Sequence, residues 1–254
     1  MTLSSINKTF KQFEQQAEQR IPTRYLIVRL DGHGFGRLTH DHFEKPFDDR
    51  FHRFMLHTVH SLLMQPLKIE LAYTQSDEIS LLVDMQNEPY SCRLQKITTI
   101  LAGVASADFS LQLGKHAVFD CRALFLSDID LIQQYFLWRY VDAGRNAMNQ
   151  FVYWSLRHQG MNAKEATRIL NGKSHQALRY MLKDMGHPLE TLPSWQRFGT
   201  LFKVEKALRH GVDRLTHKAT IKAYRQIVRL DEFDAEVIKS TIASAIRSDD
   251  TKLT

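Results

Sequence analysis

Two short acidic turns carry the side chains of this chain that are best suited to chemistry. They are LDGHGFG at 30–36 and QSDE at 75–78, and each adjoins a run of residues typical of a β-strand. Carboxylate and carbonyl oxygens are the ligands that Mg²⁺ prefers, and the open backbone amides of a glycine-rich loop can hold phosphate oxygens. The two turns therefore predict phosphoryl-transfer chemistry on a magnesium-bound triphosphate.

Each turn supplies residues with a distinct expected role. Asp31, the carbonyl of Gly32 and Asp77 are expected to hold one or two Mg²⁺ ions, and Glu78 is expected either to join them or to orient a ligand. The Ser76 hydroxyl is expected to cap its turn or to contact a phosphate. The glycine-rich turn is expected to bind phosphates through its backbone, with Phe35 either stacked on a base or packed beneath the turn; its residues are Gly32, His33, Gly34, Phe35 and Gly36.

Three cations are candidates for neutralising the triphosphate. Lys45 precedes a predicted helix N-terminus, and Arg93 and Lys96 share one turn of a later predicted helix. The histidines His33, His40 and His42 are not expected to form a metal site, since no cysteine or suitably spaced histidine completes the set.

The elements that must position these residues follow the order β-α-β-β-α-β. Hydrophobic spacing predicts strands at 24–30, 69–74, 79–83 and 117–126, and helices from Pro46 to about 63 and over 91–107. This is the ferredoxin-like unit, in which the third strand lies antiparallel between the first two. The end of the first strand then lies beside the start of the third. We therefore expect Asp31 to lie close to Asp77 and Glu78.

The two halves of the chain differ in character. We predict an α+β palm-like catalytic unit over 1–126, with an amphipathic helix at 4–20, and a mainly helical basic part over 127–254 packed on it. In the second part we expect helices at 128–158, 162–170, 175–185 and 234–246, and short strands at 200–204 and 220–230.

The charge is concentrated in one segment. Nine Lys or Arg between 197 and 229 face only Glu205 and Asp213, an excess larger than the net charge of +6 of the whole chain. A polyanion-binding surface needs this distribution, so nucleic acid is the expected partner. With two cysteines, no apolar run long enough for a membrane span and no apolar stretch at 1–20, we expect a cytoplasmic protein without a membrane partner.

Five segments carry a resemblance to a known family. LDGHGFGRLT at 30–39, FEKPFDD at 43–49, AYTQSDEISLL at 72–82, FDCR at 119–122 and WRYVDAGRNAMNQFVYW at 138–154 resemble, in that order, the histidine-tRNA guanylyltransferase family. The combination of QSDE with the glycine-rich turn is far more specific than either motif.

The resemblance implies a polymerase-like palm that extends the 5′ end of tRNA, in the 3′–5′ direction. It implies two Mg²⁺ ions at Asp31, the Gly32 carbonyl and Asp77, with ATP and GTP as substrates and a homotetramer as the usual assembly. The nucleotide would contact the 31–36 turn and Ser76, with Lys45 on the triphosphate. For tRNA we expect contacts from a larger set of polar and basic residues: Arg139, Arg145, Asn146, Lys203, Arg209, Lys218 and Arg225.

Two positions depart from the family pattern. Eukaryotic members carry His-Ile-Asn-Asn where this chain has 144–147, and only Asn146 is retained. That change resembles the guanylyltransferase-like branch, whose members restore truncated tRNA 5′ ends by templated addition. His33 stands where Lys or Arg is usual, which weakens one expected phosphate contact near neutral pH.

Other functions remain open at this point. Dedicated addition of one guanylate to histidine tRNA and a palm-fold nucleotide cyclase are the enzymatic alternatives. A ferredoxin-like RNA-binding module is the non-enzymatic one, although the strands lack its aromatic pattern.

Overall fold

The computed structural model describes residues 19–87, 89–212 and 219–247. Six strands are present in these ranges: β1 Tyr25–His33, β2 Lys68–Gln75, β3 Glu78–Asp84, β4 Val118–Leu126, β5 Thr200–Val212 and β6 Ala219–Leu230. The helices are α1 Phe35–His42, α2 Asp49–Leu63, α3 Leu94–Leu113, α4 Ile129–His158, α5 Ala163–Leu170, α6 His175–Asp184, α7 Ser194–Phe198 and α8 Ala235–Arg247. The predicted helix at 4–20 falls almost wholly outside the described residues.

All six strands form one antiparallel sheet in the order β4-β1-β3-β2-β5-β6. Its first four strands have the predicted ferredoxin-like order, with β3 antiparallel between β1 and β2. The predicted α+β fold is therefore confirmed. In the register of β1 with β3, Asp31 stands opposite Glu78, which brings the two acidic turns to one edge of the sheet.

The sheet is larger than the sequence predicted. Strands β5 and β6 form a long hairpin that joins β2 through pairs such as Thr74 with Thr200. Gly199 makes this junction possible, since it has a φ of 78° and an added Cβ would lie 2.3 Å from the Thr74 carbonyl oxygen. Only the half of the hairpin nearest β2 is covered; most residues towards its tip are exposed.

Both faces of the sheet are covered by helices, because β1, β2 and β3 present apolar side chains on both sides. Leu26, Val28 and Leu30 pack in a cluster with α2 and α3, whereas Tyr25 and Ile27 pack in a second cluster with α4 and α8. A third cluster joins the second half of α4 to α5 and α6. Within the described ranges, no helix is long and apolar enough to cross a membrane.

Several local features differ from the predictions, among them α3, which runs over Leu94–Leu113 rather than 91–107. Helix α1 follows directly on the glycine-rich turn and was not predicted, since Gly34 and Gly36 disfavour a helix there. Helix α2 begins at Asp49 rather than at Pro46, because the Asp48 carboxylate accepts from the amides of Arg50 and Phe51 and caps the helix at that point.

Candidate active site

The two acidic turns are in direct contact. The amide of Gly32 donates to the carbonyl oxygen of Asp77 at 3.1 Å. Asp31 is paired with Glu78 on β3 and with Asp120 on β4, so three carboxylates stand side by side on neighbouring strands. Side chains alternate along a strand, and Ile27 faces α4; Asp31 therefore lies on the α4 face of the sheet.

The turn that carries Asp77 is held in an unusual conformation. Ser76 has a φ of 54°, and its hydroxyl donates to Asp77 Oδ1 at 3.1 Å. Burial raises the pKa of the Asp77 carboxyl and the charge of Asp31 raises it further, while the Ser76 hydrogen bond and Lys45 oppose this rise. Two carboxylates this close repel each other unless a cation lies between them.

The glycine-rich turn is packed tightly over an aromatic side chain. A Cβ on Gly32 would lie 2.4 Å from the ring of Phe35, which is 1% exposed and is packed against Phe109 and Phe119. Of the two roles expected for Phe35, packing beneath the turn is the one observed. Its buried ring is not available to stack on a base.

Helix α1 begins at this turn, with its N-cap three residues after Asp31. Gly34 adopts a φ of 72° at the N-cap, and no side chain caps the helix. The amides of Arg37 and Leu38 are bonded to the Gly34 carbonyl. The amides of the first helical residues are the expected donors to an anion, and the helix dipole favours negative charge at the same point. His33 and Gly36 are exposed.

A cleft of about 650 Å³ opens beside Asp31 and Asp77. Lys45 lines it, donates to the Thr39 hydroxyl at 2.6 Å and is close enough to Asp77 for the two charges to interact. Burial lowers the pKa of Lys45, and the charges of Asp77 and Asp48 oppose that change. Polar and aromatic side chains form the far wall of the cleft: Asn146, Asn149, Gln150, Tyr153, Trp154 and Trp195.

Glu78 is engaged by an arginine from α4. Arg139 donates to both Glu78 carboxylate oxygens at 2.7 Å, and its guanidinium lies 3.2 Å from Asp142. Burial raises the pKa of Glu78, and Arg139 opposes the rise. The predicted orienting role of Glu78 fits this geometry better than the ligand role. Arg139 is 9% exposed, so its placement argues against the predicted direct contact with tRNA.

Two predicted cations lie at the other end of the sheet. Helix α3 follows β3, whose far end lies opposite the start of β1 and away from Asp31. Arg93, just before α3, forms a backbone β-bridge with Arg20, which precedes β1. Lys96 lies over the ring of Tyr90 in the same region. Tyr25 is six residues from Asp31, or about 20 Å along a strand. Arg93 and Lys96 are therefore not placed to contact a triphosphate bound at Asp31 of the same chain.

The residues predicted to contact tRNA are dispersed. Arg145 and Asn146 both bond to Asp142, and Asn146 lines the cleft. Lys203 pairs with Glu205, whereas Arg225 donates to the carbonyls of Leu67 and Ile69 and so holds the start of β2. Arg209 is exposed on the hairpin, and Lys218 lies outside the described residues.

Several residues of the site were missed by sequence reasoning. Asp120 belongs to the FDCR motif, and Trp154 to the 138–154 motif, so both lay within segments already singled out. Trp195 and His52 stack at 4.1 Å on the cleft wall and carry no signal in the sequence.

The donor set suits a hard divalent cation. Asp31 and Asp77 supply oxygens, and the backbone of Gly32 contacts that of Asp77. Burial and the Asp31 charge raise the pKa of Asp77, and a shared cation would offset both. The described residues contain no cluster of three or more His, Cys, Asp or Glu side chains that could hold a metal by themselves. Phosphate oxygens and water would have to complete the coordination.

Comparisons with known proteins find similar sequences. Residues 7–127 match the family described as "Thg1: tRNAHis guanylyltransferase". The tRNA(His) guanylyltransferase of Debaryomyces hansenii is 27% identical over 247 residues, which cover 91% of this chain and 93% of the relative. The one from Schizosaccharomyces pombe is 30% identical over 159 residues, covering 59% of this chain and 60% of the relative.

Solved structures with the same fold are also known. A bacterial tRNA(His) guanylyltransferase (Thg1)-like protein in complex with ATP superposes with a TM-score of 0.69 at 25% identity, covering 85% of this chain and 91% of the other. The tRNA(His) guanylyltransferase of Saccharomyces cerevisiae has a TM-score of 0.67 at 23% identity, covering 74% and 90%. The chain, with its two acidic turns meeting at the sheet edge, is thus similar in sequence and in fold to tRNA(His) guanylyltransferases.

Proposed function

We propose that this protein is a nucleotidyltransferase that extends the 5′ end of tRNA in the 3′–5′ direction, with templated repair of 5′-truncated tRNA as its role. The observation that carries the proposal is the contact between the two acidic turns, made by the Gly32 amide and the Asp77 carbonyl, at the mouth of a cleft large enough for a nucleotide. Related proteins have been solved with GTP and with ATP, which supports nucleoside triphosphates as substrates.

The reaction divides into two transfers. A 5′-monophosphate has a poor leaving group, so an oxygen of that phosphate first attacks the α-phosphorus of ATP and displaces pyrophosphate. The 3′-hydroxyl of the incoming GTP then attacks the activated 5′-phosphate and displaces AMP. A 5′-triphosphate end would lose pyrophosphate in a single step. Positioning and charge neutralisation are most of what such transfers require from a protein.

Metal binding, triphosphate binding and positioning are assigned to different residues of the site. Asp31 and Asp77 would hold two Mg²⁺ ions, which when bound activate the attacking hydroxyl and stabilise the leaving oxygen. Lys45 reaches the same region and would bind the triphosphate, with the amides at the start of α1 as further donors. Arg139 fixes the Glu78 carboxylate by two hydrogen bonds and thereby positions the turn that carries Asp77.

Repair is favoured over dedicated addition to histidine tRNA by one local feature. In the helix α4 segment at 144–147 the chain has Gly-Arg-Asn-Ala, and only Asn146 matches the eukaryotic pattern; it lies on the cleft wall. A cytoplasmic location and a homotetramer belong to the same proposal.

Incubation with defined tRNA transcripts tests the function. Wild-type protein with ATP, GTP and Mg²⁺ should convert a 5′-labelled transcript that lacks its first nucleotide into the full-length product, and should release AMP. A complete histidine tRNA should be a poorer substrate. Cyclic nucleotide without RNA extension would support the cyclase instead, and RNA binding without any product would support a binding module.

Substitutions at the two acidic turns test the site. Asp31→Asn and Asp77→Asn should each lower the rate of extension at least about 100-fold while the affinity for tRNA stays within about twofold. Asp130→Asn is the matched control, because Asp130 is exposed on the first turn of α4, at the far end of the sheet. Extension at the wild-type rate by both site variants would exclude the assigned metal ligands.

A further inference from the structure

A half-exposed tryptophan stands beside the carboxylates but outside the cleft. Trp138 on α4 is 51% exposed, although tryptophan is normally largely buried. Its ring packs edge-on against Tyr135, with the Arg139 guanidinium 4.6 Å and the Arg29 guanidinium 6.0 Å from the ring centre. Arg139 in turn holds Glu78, so the ring is fixed with respect to the site.

Arg29, beside this ring, has a second arginine opposite it on the sheet. Arg29 and Arg122 are directly opposite each other on β1 and β4, one row of side chains away from Asp31 and Asp120. Like charges opposite each other on neighbouring strands destabilise a sheet, so this pair has a cost that a bound anion would remove. Arg122 is 58% exposed, and its nearest carboxylate oxygen, on Asp120, is 3.6 Å away.

Arg29 has hydrogen-bonding capacity to spare. Within the part of the chain that the structure describes, its guanidinium forms no hydrogen bond or ion pair; it lies over the Trp138 ring, and its charge acts on the nearby Glu78 carboxyl. A guanidinium carries five donors in a fixed plane that fits a phosphate group. An exposed indole ring beside two such donors is the combination that recognises a nucleotide within a single strand, by stacking on the base and binding the phosphate.

We propose that Arg29, Arg122 and Trp138, the arginine–tryptophan platform, bind the first nucleotides at the 5′ end of the RNA that is being extended. This proposal rests on the proposed function. Trp138 stacks on the 5′-terminal base, and the two arginines bind the phosphate between the first and second nucleotides. The reacting 5′-phosphate then lies one row further along the strands, at Asp31.

The spacing of the strands suits this arrangement. Arg29 and Asp31 are two residues apart on the same face of β1, about 7 Å along the strand. This is comparable to the separation of neighbouring phosphates in an RNA strand. The cleft that would hold the nucleoside triphosphate is lined by Asp31 but not by Arg29, Arg122 or Trp138. The two substrates would therefore approach Asp31 from different sides.

Binding measurements without nucleotide test the platform. The probe is a tRNA transcript that lacks its first nucleotide and carries a 5′-monophosphate. Trp138→Ala and Arg122→Gln should each weaken its binding at least about fivefold. The KM for GTP should stay within about twofold of the wild-type value, because the cleft is unchanged. Trp138→Phe keeps an aromatic ring, should retain most of the affinity, and serves the test if Trp138→Ala does not fold.

Two control variants match the substitutions in type and exposure. Leu131→Ala removes another exposed apolar side chain from α4, two turns before Trp138. Arg53→Gln removes an exposed arginine from α2, which packs on the opposite face of the sheet. Both should bind the transcript like wild type.

A modified transcript identifies the phosphate. With an uncharged methylphosphonate between its first two nucleotides, the transcript should bind wild-type protein at least as weakly as the normal transcript binds Arg122→Gln. The same modification should weaken binding to Arg122→Gln by a smaller factor than binding to wild type, because only the Arg29 contact is left to lose.

Three results would overturn the platform: normal tRNA affinity in both Trp138→Ala and Arg122→Gln, additive losses from the methylphosphonate and Arg122→Gln, or an increased KM for GTP with unchanged tRNA affinity. Wild-type protein that extends tRNA while the variants bind it normally refutes the platform alone. Wild-type protein that never extends tRNA refutes the proposed function, whatever the variants bind.

Discussion

Arg139 connects helix α4 to the acidic turn through buried charges. Its side chain is 10% exposed and that of Glu78 is 16% exposed. Removing one member of a buried, hydrogen-bonded ion pair leaves the other charge uncompensated, which costs more than the pair itself contributes. Arg145 bonds to the same Asp142 as Arg139 but is 54% exposed, so water can replace its contact.

This difference gives a prediction at the residue scale. Arg139→Ala should lower the free energy of unfolding by about 3–5 kcal/mol, because the Glu78 carboxylate loses both of its donors. Arg145→Ala should cost about 0–1 kcal/mol, as expected for an exposed pair. Urea titrations of the two variants and the wild type give both values. Equal losses of unfolding free energy in the two variants would show that the buried pair stabilises the fold no more than the exposed one.

Gly32 and Gly36 provide a second matched comparison. An Ala side chain at Gly32 would meet the Phe35 ring, which cannot move because Phe109 and Phe119 surround it; at Gly36 it would meet nothing within 4 Å. We therefore expect Gly32→Ala to lower the free energy of unfolding by about 1–3 kcal/mol. Gly36→Ala should be neutral or slightly stabilising, since Ala is the better helix former. Thermal unfolding of both variants would measure the contrast.

At the scale of elements, α7 is attached to α2 through a titratable side chain. His52 stacks on Trp195 with ring planes 12° apart. Burial lowers the pKa of His52 to about 4; Asp231 and Asp49 oppose the change, and Arg229 and Arg53 add to it. In the unfolded chain the same group titrates near 6.5. Between these two values the unfolded chain binds a proton that the folded chain does not, so stability falls as the pH falls from 6.5 towards 4.

The size of this effect can be measured. From pH 7 to pH 4.5 the His52 contribution should reduce the free energy of unfolding by about 2 kcal/mol. His52→Phe keeps a ring on Trp195 but cannot be protonated, so its loss over this range should be smaller by that amount. His60→Gln, at an exposed position of the same helix, should keep the full wild-type dependence. A His52→Phe variant that loses as much stability as wild type would contradict the assignment.

Some of the strands and contacts were predictable from the sequence and others were not. The strands β1 to β4 were predictable because their apolar runs are bounded by turns, and their order fixed the meeting of Asp31 with Asp77. Strand β6 was predicted at 220–230 and is observed at Ala219–Leu230, whereas β5 was predicted only to residue 204 and extends to Val212, since most of its outer half is exposed and lacks a buried face. The Glu78–Arg139 pair depends on how α4 crosses the sheet, which no local pattern records.

Two cations that were predicted to bind the triphosphate lie at the wrong end of the sheet. Arg93 and Lys96 lie at the start of α3, which follows a strand that runs away from Asp77. The predicted order of elements already implied that a helix after β3 begins at the far end of the sheet. Charge and helical spacing had suggested a phosphate site there, but topology was the stronger constraint.

Over the whole molecule, the basic surface is smaller than the charge count suggested. Lys203 and Arg229 are paired with Glu205 and Asp231, and Arg225 holds backbone carbonyls. Arg209 and Lys222, by contrast, are exposed and directly opposite each other on the hairpin. Such a pair repels itself and gains most from a polyanion. We infer that the outer half of the hairpin, rather than the whole 197–229 segment, binds the tRNA backbone.

Charge reversal on the hairpin tests this inference. The double variant Arg209→Glu/Lys222→Glu should weaken tRNA binding at least tenfold and reduce the slope of log affinity against log salt by about 2, one for each lost phosphate contact. It should leave the KM for GTP unchanged, because both residues are far from the cleft lining. Lys164→Glu/Arg168→Glu makes the same change of charge on α5, where both residues are exposed. Equal effects in the two double variants would mean that net charge alone, and not the hairpin, determines the affinity for tRNA.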